Sequence, residues 1–258
     1  MFDRLKQIFK YRNVLWNMAI SQLKTKYSNS LIGIFWSILN PVLIMLAITF
    51  VFTVVFRTEI KNFAFFVLAG ILPWMFFSGA ISEVTNSILS QQNILRQFNL
   101  PKEIIPLSCV LANFVNFLIG WVIVYPIFFI LNPKIILFFP LFILILLLNF
   151  IFMCGVSLIF SILNVFYRDL GHSLGVLLMF WFWVTPVFYS IDMVPLSLHW
   201  IFKINPLTFF VTFYREVIFS GVIPDLSVVT GVFTLALLSI GLGFLIFWRL
   251  EPKLIKAI

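Results

Sequence analysis

Trp36, Tyr125, Trp181, Trp183 and Tyr189 stand within or at the ends of long apolar runs, and each combines a flat ring with a polar edge. Such a ring stacks on the apolar CH face of a sugar while its N–H or O–H reaches a hydroxyl. Small and polar residues recur in the same runs at alternating spacings of three and four, which places them on single helical faces. The first run carries Ser30, Gly33, Ser37 and Asn40, and the third carries Cys109, Asn113, Asn116 and Gly120. Cys154, Ser157, Ser161 and Asn164 line the fourth, and Gly231, Thr234 and Gly241 the last. In lipid these faces turn inward and pack helices closely. Stripes on four helices also leave room for a polar-lined path.

Bond-making chemistry has no comparable support. No Ser/His/Asp set, zinc spacing or paired carboxylates converge, and His172 and His199 fall near opposite membrane faces, so no metal site is expected. Cys109 and Cys154 lie in uncharged apolar stretches and are expected to pack as small hydrophobes. Glu83, Glu103, Asp169 and Glu216 fall at the ends of apolar runs, where solvated or capping charge is expected. The runs hold no ionisable pair of the kind that marks proton or ion coupling. None of the glycines begins a GxxxxGK[ST] loop, so no cofactor is expected in this chain and any ATP and magnesium belong to a partner.

The elements that position these groups follow from charge. Of the 258 residues 62% are hydrophobic and only 10% charged, which excludes a water-soluble domain and a disordered chain. The net charge of +8 is scattered between apolar runs and forms no nucleic-acid patch. Intervals 27–56, 62–82, 104–133, 135–167, 170–191 and 226–248 contain no Asp, Glu, Lys or Arg. Each, as a helix at ~1.5 Å per residue, covers the ~30 Å hydrocarbon core. The expectation is an all-α polytopic membrane protein, one transmembrane domain over 1–258, with spans at 30–56, 62–84, 104–132, 135–163, 170–190 and 226–249. With both termini cytoplasmic, 12 of the 17 basic residues lie inside and five outside, Arg57, Lys61, Lys134, Lys203 and Arg215, as the positive-inside rule asks. No cleavable signal is expected, since about thirty residues precede the first apolar run.

Three segments do not span. Residues 1–29 read as one amphipathic interface helix, with Leu5, Ile8, Phe9, Leu15, Trp16, Ala19, Ile20 and Leu23 on its apolar side and Arg12 breaking the stripe. Residues 86–103, with Gln91, Arg96, Pro101, Lys102 and Glu103, form the longest polar inner connection and offer a docking surface, as does the turn at Arg168 and Asp169. Residues 191–225 are cut by Pro195, Asn205, Pro206, Gly221 and Pro224 into pieces too short to cross. They read as short interfacial or re-entrant helices forming an outer gate, with Trp200, Phe202 and Phe209 as the bulk that closes it by dewetting.

Several motifs resemble the transmembrane subunit of type-2 ABC exporters that move polysaccharides such as O-antigen, capsule or teichoic-acid chains. They are Ser21–Tyr27 followed by Leu31–Pro41, Leu68–Trp74 with Phe76 and Phe77, Phe98–Pro106, Asn164–His172, Thr185–Tyr189, Asn205–Leu207 and Tyr214–Arg215, in the family's order. The coupling stretch departs from it, reading Phe98-Asn99-Leu100 before the proline where an aromatic-Phe pair is more usual. The resemblance implies a homodimer in the cytoplasmic membrane, two ATP-binding cassette subunits, and a substrate built on a polyprenyl pyrophosphate lipid. Lys24, Lys26 and Tyr27, where the interface helix meets the first span, are then expected to hold the pyrophosphate through charge-assisted hydrogen bonds. Two other functions stay open: a type-2 ABC exporter of a small amphiphile or lipid, and a passive membrane scaffold or channel. Co-purification with a P-loop protein separates both exporters from the scaffold.

Overall fold

Twelve α-helices hold most of the residues that the computed structural model describes, 2–28, 32–98 and 100–257, and no strand occurs among them. α1 (Phe2–Lys10) and α2 (Arg12–Tyr27) meet at Tyr11. α3 (Trp36–Phe50) is entered through a 3-10 turn at Gly33–Phe35, with Gly33 at φ 55°, and left through a π-helical turn at Val51–Val55. α4 (Phe63–Thr85) leads into the short α5 (Ser87–Ser90) and α6 (Gln92–Gln97) of the polar connection. α7 (Ile104–Leu131) and α8 (Phe139–Phe166) are joined by a 3-10 stretch, Pro133–Phe138, which Asn132 caps by accepting from the Lys134 N–H at 3.3 Å. Then come α9 (Asp169–Val184), α10 (His199–Ile204), α11 (Pro206–Tyr214) with a π-helical continuation Arg215–Ser220, and α12 (Leu226–Ala257).

The single N-terminal helix expected over 1–29 is therefore two. The Tyr11 N–H is shared between the carbonyls of Gln7 and Ile8, both at 3.1 Å, the bifurcated pattern of a helix end. Arg12, the cation that breaks the apolar stripe, starts the second helix and lays its guanidinium over the Phe9 ring at 4.6 Å. Polar and apolar faces separate sharply in α1 and hardly at all in α2. α2 packs along α7, burying Ala19 and donating from Gln22 Nε2 to Ser108 Oγ at 3.1 Å.

Among the described residues, five helical stretches are long and apolar enough to cross a membrane: Trp36–Val55, Phe63–Thr85, Ile104–Leu131, Pro133–Phe166 and Leu226–Leu254. The sixth expected span, 170–190, is helical only to Val184, because Pro186 offers no N–H and pushes Thr185 to φ −91°, ψ 130°. The sixteen residues of α9 cover ~24 Å, short of the ~30 Å core. Two helices run beyond the ends of their expected spans, α8 to Phe166 and α12 to Ala257.

α4 is the most enclosed of these stretches, flanked by α3, α7, α8, α9 and α11. α8 and α12 cross so closely that a Cβ on Gly155 would stand 2.1 Å from the Ser239 carbonyl carbon. α11 is no surface helix: it wedges against α12, α4 and α8, stacks Tyr214 on Trp121 with ring centroids 5.5 Å apart, and takes a hydrogen bond from Asn149 on the Tyr214 hydroxyl at 3.4 Å. Just beyond it Arg215, counted in sequence among the outer charges, is buried. Its guanidinium carbon lies 3.6 Å from the Phe66 ring centroid and its N–H groups donate to the carbonyls of Phe66, Val187 and Tyr189. The irregular stretch after α9 thus finds hydrogen-bond partners within the protein.

Candidate functional site

Lys26, near the end of α2, and Glu83, near the end of α4, meet at 2.6 Å although 57 residues separate them. Asn113 of α7 closes the triangle, its Nδ2 donating to Glu83 Oε2 at 2.6 Å while its Oδ1 accepts from Lys26 Nζ at 3.3 Å. One turn farther along α7, Asn116 Oδ1 accepts from the Tyr27 hydroxyl. Burial, and then the charge of Glu83, push that hydroxyl above the usual tyrosine range, so it stays a neutral donor.

Two cavities share Lys26 and Asn113 in their walls. One, of about 500 Å³, runs between α3, α4 and α7 and is lined by Trp36, Ser37 and Asn40 from the first helix, Gly79 from the second, and Asn116 and Gly120 from the third. The other, of about 560 Å³, lies beneath α2 and is lined by Ser21, Gln22 and Thr25 on one side and Glu83, Ser87, Ser90 and Gln91 on the other. Among the described residues, the amide oxygens of Gln22 and Gln91 are buried without a hydrogen-bond partner. Chemically the pair of cavities offers a cation, a carboxylate, neutral amides, hydroxyls, one indole ring and the Cys109 thiol.

The site residues expected from sequence separate into those this geometry gathers and those it scatters. Lys26, Tyr27, Trp36, Ser37 and Asn40 come together in the first cavity and Gln91 joins the second. Ser30 lies outside the described residues, Gly33 turns the chain into α3, and Lys24 is exposed without lining either cavity. Four aromatic residues stand elsewhere. Tyr125 donates to the Ile135 carbonyl at 3.4 Å and stacks on Phe142; Trp181 donates to Asn205 Oδ1 at 2.9 Å. Trp183 is exposed beside Phe188, and Tyr189 donates to the Trp183 carbonyl at 2.9 Å.

Of the expected docking residues, Arg96, Arg168 and Asp169 are exposed and Pro101 is half-buried. Glu103, read as a solvated or capping charge, is instead fully buried, because it accepts from Trp248 Nε1 at 2.7 Å on α12. Lys102 turns to Glu251 at 3.4 Å, and Arg4 pairs with the same carboxylate. None of the six gate residues lines these two cavities. Pro195 and Trp200 are exposed, Phe202 and Asn205 buried, and Pro206 starts α11. Phe209 leans on α12, where it would touch any Cβ at Gly231. Glu83, Asn113 and Asn116 were missed as site residues, although the stripe on the third run already singled out both asparagines.

Residues 13–219 match the family model described as ABC-2 type transporter. The chain belongs to the ABC-2 type transporter family. It is 30% identical over 234 residues to the O-antigen export system permease protein RfbA of Myxococcus xanthus, with 87% of each chain covered. It is 34% identical over 205 residues to a protein of the same name from Klebsiella pneumoniae, 78% of each covered. A more distant relative is the polysialic acid transport protein KpsM of Escherichia coli, at 23% identity over 236 residues, covering 88% of this chain and 90% of that one. In this ABC-2 chain the five long apolar helices are those of a membrane-integral subunit.

Proposed function

We propose that this chain is the membrane-embedded, path-forming subunit of an ATP-driven exporter that moves a polyprenyl-pyrophosphate-linked polysaccharide of O-antigen type outward across the inner membrane. The observation that carries the reading is the first cavity, where Lys26, Tyr27, Trp36, Ser37 and Asn40 from two different elements line one space. An ammonium suits phosphate oxygens, and an indole beside amides and hydroxyls suits a hydrated sugar strand. The names of three relatives, two for O-antigen and one for polysialic acid, support a glycan as cargo.

In this reading two copies of the chain assemble with two ATP-binding cassette subunits, which dock on 86–103 and on the turn at Arg168 and Asp169. Both termini are cytoplasmic, and α9 with the irregular residues that follow it makes the sixth crossing. The segment 191–225 closes the far mouth, with exposed Trp200 and Pro195 at its surface.

The test is ATP-dependent uptake of a polyprenyl-pyrophosphate glycan into inside-out vesicles carrying the chain and its ATPase. Joint replacement Trp36→Ala and Asn40→Leu is expected to cut uptake at least about tenfold, the scale of losing two positioned contacts, while ATP hydrolysis continues. Uptake of an amphiphilic dye but no glycan would transfer the assignment to small-amphiphile export. Failure to purify with any ATPase would leave a scaffold or passive channel.

A further inference from the structure

Lys26 and Asn113 stand in the walls of both cavities, and Glu83, which is bonded to each of them, lines the second. Lys26 is the cation best placed to receive a phosphate there, yet its ammonium already contacts a carboxylate at 2.6 Å. That carboxylate is held from behind: Asn113 donates to its other oxygen at 2.6 Å and is itself anchored to the Cys109 carbonyl at 3.0 Å. Lys26 and Glu83 keep 37% and 41% of their side-chain surface exposed, so water reaches the pair. An ion pair in that environment adds little to stability and exchanges partners readily. A pyrophosphate bridge, with a negative charge on each of its phosphates and more acceptor oxygens than a carboxylate, competes for the same ammonium.

Resting on the export reading above, we propose that Glu83 is a resident substitute for the substrate's phosphate: it occupies Lys26 while the path is idle, and only a ligand carrying phosphate displaces it and moves on from the second cavity to the first. Glu83 is thus a specificity-determining residue. Three consequences follow from the geometry. A neutral glycan cannot compete for Lys26 and stays in the inner cavity with its hydroxyl-rich wall of Ser21, Thr25, Ser87 and Ser90. A phosphate that arrives meets a like charge until Glu83 swings aside, which sets a threshold on its binding. After displacement Asn113 still offers its amide to the released carboxylate, so the pair can re-form behind the departing ligand.

The experiment uses the full chain in lipid nanodiscs with farnesyl pyrophosphate as probe and farnesol as its neutral counterpart, binding being read by calorimetry. Glu83→Gln is expected to tighten farnesyl pyrophosphate about tenfold, since both the competitor and a like charge are removed, and to leave farnesol unchanged. Lys26→Met is expected to weaken farnesyl pyrophosphate by a similar factor, and on that background Glu83→Gln should have no further effect. Glu83→Asp, which keeps the charge but retracts it by one methylene, should fall between wild type and Glu83→Gln and serves if the latter misfolds. If Glu83→Gln binds no more tightly than wild type while Lys26→Met is impaired, the resident-carboxylate proposal is overturned and the phosphate role of Lys26 stands. If Lys26→Met binds as well as wild type, or wild type does not bind the probe, the phosphate reading of the site falls and this proposal with it.

Discussion

Glu103 is fully buried, takes the Trp248 indole N–H on Oε1 at 2.7 Å, and has Arg4 3.7 Å away, while its Oε2 has no hydrogen-bond partner. A buried carboxylate so incompletely matched carries a desolvation cost that a neutral amide avoids. Glu103→Gln keeps an acceptor for Trp248 and is expected to hold stability within about 1 kcal/mol of wild type. Glu103→Ala strands the indole donor and is expected to cost about 1–3 kcal/mol. Thermal unfolding in detergent ranks the two; equal losses would mean that the charge facing Arg4, and not the hydrogen bond, holds α12 to the start of α7. Nothing near Glu103 in sequence announces this role, since its partners lie about a hundred residues or more away on α1 and α12. The pairing of Lys26 with Glu83 is hidden for the same reason, since 57 residues separate them. Trp36, Ser37 and Asn40 were legible because one short helical face carries all three, so their spacing alone brings them to one wall.

At the scale of elements, charge-free intervals identify the five long helices because lipid penalises charge wherever it falls. Stripes of small residues are less exact guides. The fourth-run stripe does turn inward, with Ser157, Ser161 and Asn164 buried, but the residue at the crossing of α8 and α12 is Gly155, which lies beside that stripe. Gly243, its partner, would place a Cβ 2.4 Å from the Gly155 carbonyl oxygen, while Gly241 of the last-run stripe faces open space. Spacing reports which residues share a face, whereas the crossing point depends on a second helix elsewhere in the chain. The two glycines therefore predict opposite outcomes. Gly155→Ala must push the α8 and α12 backbones apart and is expected to destabilise by about 1–3 kcal/mol. Gly241→Ala meets nothing and gains helix propensity, about 0.5–1 kcal/mol. Melting temperatures of the two variants check the sign as well as the size.

For the whole molecule, the decisive question is whether the chain crosses the membrane at α9. Its sixteen residues reach ~24 Å as a helix. Residues Thr185–Ser190 bend, with the Val187 N–H bonded back to the Thr185 carbonyl at 2.7 Å, yet at up to ~3.3 Å each they need supply only the remaining ~6 Å of the ~30 Å core. Unpaired backbone at membrane depth would forbid this route, but Arg215 satisfies the carbonyls of Val187 and Tyr189, and Asn205 donates to the Val184 carbonyl and to Thr185 Oγ1. We therefore expect six crossings. The native cysteines, Cys109 and Cys154, are both buried, so a cysteine introduced at an exposed position can be read by an impermeant maleimide in vesicles of known orientation. Lys6, Ser197 and Lys253 are exposed and sample the N-terminal helix, the segment after α9 and the end of α12. With six crossings, right-side-out vesicles label Ser197→Cys and protect Lys6→Cys and Lys253→Cys. With five, Lys253→Cys is labelled and the other two are protected. That second pattern would put residues 191–225 on the side of the proposed ATPase contacts and remove any outer gate. A further arm ties the crossing to its cause: Arg215→Ala leaves the two carbonyls unpaired, and a new accessibility of Ser190→Cys from both sides of the vesicle would mark the loss of the stretch after α9.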